Sequence, residues 1–176
     1  NLVGAGTTAL VSRAEGRGDH KDANHFANQS LALALMVGLG IGAMVFVAAP
    51  YFALMQGMGG EAKDIMVRYL RIDSVGMVFT SVTLVGAASL RGVGNTRTPM
   101  VVFAIVSVAN VIVSTVLVFG VGQIVGIGVD GIVLGTLVAR VMGGLLMVLV
   151  LARKKAGIEL DGPSLRIKRA SARRGR

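Results

Sequence analysis

Cysteine is absent from the 176 residues, so neither a disulfide nor a thiolate metal site can form. Histidine occurs twice, at His20 and His25. The two are five apart, without acids at zinc-binding spacing, and read as solvated or interfacial groups at the start of a helix. Charged residues make up 15% of the chain against 53% hydrophobic. No Ser/His/Asp set and no carboxylate pair is placed for catalysis inside an apolar run, which argues against an enzyme and against a resident cofactor. A secretory signal is missing as well: the chain opens inside an apolar stretch, with no Met and no basic leader. Leu2 to Val11 reads as the back half of a span, so the sequence is expected to be a fragment.

What the sequence has in abundance is long uncharged runs. Residues 26–60, 74–90 and 98–129 carry no charge, and 131–152 carries one, Arg140. About 20 apolar residues cross a bilayer as a helix, and a lone segment in lipid must satisfy its own backbone hydrogen bonds. The fold class implied is all-α and integral to the membrane, a polytopic helical bundle. One partial and four complete spans are expected at about 1–13, 26–56, 68–91, 99–120 and 131–152, together a transmembrane bundle over 1–152. Asp19 is a candidate N-cap for the second helix, with Asp22 in its first turn. Pro50 is expected to kink that helix, and Gly57 to Gly60 to end it. Asp64 and Arg68, four apart, are expected to pair. Pro99 suits a helical first turn, and the stretch from Gly120 to Asp130 reads as an uncharged loop.

The net charge of +9 invites a nucleic-acid reading, but its distribution argues against one. Half of the basic residues stand in 153–176: Arg153, Lys154, Lys155, Arg166, Lys168, Arg169, Arg173, Arg174 and Arg176. Arg13, Arg17 and Lys21, then Arg91 and Arg97, fall on the same side as that segment. The opposite side has only Lys63, Arg68 and Arg71. Lysine and arginine collect in cytoplasmic loops. Both Gly-x-Gly turns and the basic tail, or inter-lobe linker, are therefore expected in the cytoplasm, facing anionic lipid.

Several motifs have a plain reading beside a functional one. Gly4-x-Gly6-x-x-Ala9 fits a dinucleotide fingerprint but lies within an apolar span rather than a strand–helix unit, and is rejected. Gly131, Gly135, Ala139 and Gly143 form a small-residue stripe, with Gly38 and Gly42 a second, which reads as close helix packing. Arg140 either faces a cavity or partner or snorkels toward the headgroups. Asn110 and Ser114 share a helix face, and Thr136 could join them. They are interhelical glue or part of an ion or substrate pocket. Gly16-Arg17-Gly18-Asp19 and Gly92-Val93-Gly94-Asn95 echo each other, as a repeat or as generic turns.

The stretch Val3–Asp19, the tetrad Tyr69-Leu70-Arg71-Ile72 and the run Gly128-Val129-Asp130-Gly131 resemble the multidrug and toxic compound extrusion family. So does the block Arg91-Gly92-Val93-Gly94-Asn95-Thr96-Arg97-Thr98-Pro99, the most specific of these. The resemblance implies twelve spans in two six-helix lobes, of which this chain would supply spans two to six of the amino-terminal lobe. It implies ion-coupled antiport, with sodium or protons exchanged for lipophilic or cationic small molecules across the bacterial inner membrane. The partners implied are the lipid bilayer and the missing first span and second lobe. Asn110 and Thr136 match an Asn and a Thr of the family's cation site, while Ser114 stands where the family has an acid. Asp73 and Asp130 are the remaining acids, both expected near the outer interface. A lipid-linked precursor flippase of the same superfamily, or a non-transporting assembly subunit, are the alternative readings.

Overall fold

The computed structural model describes residues 2–121, 124–125 and 128–153. Five helices follow one another: α1 (Leu2–Gly16), α2 (His20–Met55), α3 (Gly60–Gly92), α4 (Arg97–Phe119) and α5 (Val129–Ala152). Between α4 and α5, where an uncharged loop was expected, β1 (Gly120–Val121) pairs antiparallel with β2 (Ile124–Val125). The basic segment 154–176 lies outside the described residues.

Four of these helices are long and apolar enough to cross a membrane. Their burial runs opposite to that of a water-soluble fold. The most apolar window, in α4 (mean hydropathy 2.6), is only 6% buried, whereas the least apolar, in α3 (1.4), is 44% buried. Met100, Val111 and Phe119 of α4 all stand exposed. Such an order is stable only where the surrounding solvent is hydrocarbon, which rewards apolar exteriors and drives polar residues inward. The chain is a multi-pass helical membrane protein.

α3 is the spine, packed against α1, α2 and α5, while α4 lies mainly along α5. The buried face of α3 is made of small residues, among them Ser74, Gly76, Gly86, Ala87, Ala88 and Ser89. Neighbouring helices can therefore come close. Its hydroxyls add no unmet polarity, because Ser74, Thr83 and Ser89 donate to the carbonyls of Arg71, Phe79 and Val85 respectively within the same helix, at 2.7 to 3.0 Å. The Gly38/Gly42 stripe of α2 meets this face: a Cβ on Gly42 would lie 2.8 Å from the Ser74 carbonyl oxygen. α5 has two seams. Gly131 and Gly135 lie against the α4 backbone, and Gly144 and Met147 lie against α3.

The apolar core gathers at one end of the bundle, where Val11, Ala14, Ala23, Ala27, Ala87, Leu90, Met147 and Leu151 are fully buried. That end also holds the two Gly-x-Gly turns, and they are one device used twice. Gly18 and Gly94 take φ of 72° and 80°, a left-handed backbone that glycine adopts without a Cβ clash. The next N–H reaches back five residues, Asp19 to the Ala14 carbonyl and Asn95 to that of Leu90. The Asp19 and Asn95 side chains then accept the N–H three residues on, from Asp22 and Thr98, both at 3.1 Å. The α2–α3 turn shares the first half of this arrangement, with Gly57 left-handed and Met58 bonded to Ala53. It lacks the side-chain cap.

One local expectation gives way to a tertiary contact. α3 starts at Gly60 and runs unbroken to Gly92. Arg68 passes over Asp64 and reaches Asp130 of α5 at 3.2 Å. Pro50 sits inside α2 without ending it.

Candidate functional site

Asp73, Asn110, Ser114, Thr136 and Arg140 lie at neighbouring levels of α3, α4 and α5. Ser114 of α4 packs on Gly135 of α5, where a Cβ would sit 2.3 Å from its Oγ and 2.7 Å from its Cα. Asn110 lies one turn along α4 from that contact and Thr136 lies beside Gly135, at a rise of about 1.5 Å per residue. Arg140, one further turn along α5, is near the middle of the 24-residue helix. α3 completes the level with Asp73.

Ser114 donates to Asn110 Oδ1 at 2.9 Å within α4. Thr136 donates to the Ile132 carbonyl at 2.9 Å within α5. Among the described residues no hydrogen bond joins Asn110 to Thr136, so this pair is brought to one depth but not into contact. Both remain half-buried.

Arg140 is neither free nor snorkelling: its Nη1 lies 2.8 Å from Asp73 Oδ1 and 3.4 Å from the Asp73 carbonyl oxygen. The side chains are 31% and 16% exposed. Gly76 makes the contact feasible, since a Cβ there would stand 2.9 Å from Arg140 Cδ and 3.1 Å from Nη1. The arginine stem thus crosses α3 over a glycine. Asp73 was expected near the outer interface. It stands thirteen residues beyond Gly60 in a continuous helix, directly before the uncharged run of residues 74–90. This cross-helix ion pair has no sequence signature: its members are 67 residues apart.

The loop residues Arg91, Gly92, Gly94, Asn95, Arg97 and Pro99 form the α3–α4 turn. Gly92 is buried against α1, where a Cβ would meet Val11 at 2.7 Å. Pro99 is buried in the first turn of α4, and Arg91 and Arg97 are exposed. The block therefore closes the turn, seats it on α1 and leaves two cations at the surface.

The sequence profile of the MatE family matches residues 1–116. The chain belongs to that family. Across 85% of its length this MATE chain is 27% identical to the probable multidrug resistance protein NorM of Thermotoga maritima, covering 32% of that protein. It is 27% identical to a FAD transporter of Shewanella oneidensis over 84% of the chain and 33% of the relative. Among solved structures it superposes on a MATE transporter in the bent conformation with a TM-score of 0.83 at 25% identity. That superposition covers 90% of this chain and 35% of the other. An inward-facing multidrug resistance MATE transporter gives 0.77 at 27% identity, over 85% and 33%. The MATE chain spans about a third of the length of these relatives.

Proposed function

We propose that the polypeptide carrying this lobe is an ion-coupled antiporter of the bacterial inner membrane. It exchanges sodium or protons for lipophilic or cationic drugs by alternating access, the Gly-x-Gly turns and the basic segment facing the cytoplasm. Membership of the MATE family supports transport, and the names of its relatives support small-molecule cargo. The observation that weighs against anionic cargo is the Asp73–Arg140 contact. The one guanidinium within the apolar spans is already neutralised, so the lobe offers no net positive charge to an anionic substrate. A lipid-linked phosphate substrate needs unpaired cations, which disfavours the flippase reading.

In this mechanism the lobes rock about a central cleft, and ion binding shifts the balance between open states by its differential affinity for them. Asn110, Ser114 and Thr136 supply neutral oxygen donors at mid-depth, and Ser114 leaves α4 without a carboxylate there. The test is ethidium transport into inverted vesicles containing the intact polypeptide, with sodium and proton gradients imposed separately. One gradient should drive accumulation, and Asn110→Ala should lower it while expression holds. Transport under neither gradient, with the protein confirmed in the membrane, would leave a flippase or an assembly subunit.

A further inference from the structure

The Asp73–Arg140 pair is costly as mere glue. Two charges packed between α3 and α5 give up hydration, and apolar residues of similar volume commonly hold helices together as well or better. The α3–α5 seam also has independent contacts, Phe79 on Gly144 and Met147 on Gly86. Moreover the pair is not sealed. Gly76, over which the arginine stem is laid, is buried, yet both charged side chains keep part of their surface open. Charged groups within membrane-spanning helices almost always face water-filled cavities or protein rather than lipid. Thr136, one turn from Arg140 on α5, is half-buried in the same way.

We propose that Asp73 is the carboxylate this lobe presents to a monovalent cation, and that Arg140 is a tethered resident cation which the incoming one displaces. The proposal rests on the antiporter reading above. A carboxylate inside the membrane must stay neutralised, so it exchanges one positive partner for another rather than standing bare. Arg140 covers it between cycles, and the Asp73 carbonyl oxygen beside it is a second oxygen donor for the arriving ion. Displacement is reversible because the guanidinium is held on a four-atom stem laid over Gly76, with room to swing toward the open side.

The experiment is equilibrium binding of sodium, and separately of tetraphenylphosphonium, to the purified intact polypeptide and its variants. If Arg140 covers Asp73 more than about nine-tenths of the time, removing it tightens apparent affinity about tenfold or more. Arg140→Gln should therefore bind at least one of the two probes about tenfold more tightly than wild type. Asp73→Asn should lose that binding, and the double variant should match Asp73→Asn. Arg140→Lys retains a charge without the planar fork and guards against a folding failure. It should shift affinity in the same direction by a smaller factor. The probe that responds separates a coupling-ion role from a substrate role. Unchanged or weaker affinity in both Arg140 variants, with the wild type still transporting, would overturn the displacement role and leave the antiporter reading intact. Absence of binding and of gradient-driven transport in the wild type would overturn both.

Discussion

Gly135→Ala should detach α4 from α5. The ideal Cβ would lie 2.7 Å from Ser114 Cα and 2.9 Å from Ser114 N, against an ordinary contact of 3.4 Å or more. The Ser114 hydroxyl, 2.3 Å away, can rotate clear, but backbone atoms cannot. The helices must therefore part by about 0.7 Å at this level, and a gap of that size forfeits about a quarter to a half of each dispersion contact along the seam. Overpacking of this kind costs about 1–3 kcal/mol. α4 has little to fall back on, since it lies mainly along α5. The assay is the unfolding free energy in mixed micelles by SDS titration. Gly40→Ala serves as control, because nothing stands within 4 Å of its Cβ and helix propensity alone favours alanine there by about 0.8–1 kcal/mol. A Gly135→Ala variant within about 0.5 kcal/mol of wild type, the scatter of surface substitutions, would refute the argument that this seam is set by backbone contact.

Gly86→Ala should behave differently, although its Cβ would meet Met147 Cγ at 2.4 Å. Methionine is flexible, so the same titration should show a smaller loss, and Met147→Ala in the same chain should restore part of it. Asn95→Ala removes the acceptor for the Thr98 N–H and should cost about 1 kcal/mol as a lost helix cap. Asn95→Asp should retain the stability, as Asp19 does at the matching turn.

The helices were legible because an uncharged stretch of bilayer length has one stable solution, and the turns because left-handed glycines and Asx caps leave local marks. Lys63, Asp64, Arg68 and Arg71 break the apolar run, yet nothing between Gly60 and Ser74 breaks the helix. Arg68 shows the limit of local rules: a helical i,i+4 partner is worth a few tenths of a kcal/mol, little enough for Asp130 on another helix to outbid Asp64. Asn110, Ser114 and Thr136 could be named from their positions, but their half-buried state could not. The Asp73–Arg140 contact was beyond reach, because the register of α3 against α5 is set by where Gly76, Gly86 and Gly144 let side chains through. That information is spread over three positions and becomes visible only when the helices are docked.

The unequal apolarity of α3 and α4 bears on how the chain is made. α4 can enter lipid alone as it leaves the ribosome, waiting there for α5 to be synthesised. α3, with a mean hydropathy of 1.4 against 2.6 for α4, is the poorer substrate for solitary insertion. It has to enter as a hairpin with α2, whose Gly38 and Gly42 already fit its small face. Asp73 then waits without its counter-ion until another 67 residues have been translated and Arg140 arrives. Closing that ion pair is the step that ties α5 to α3.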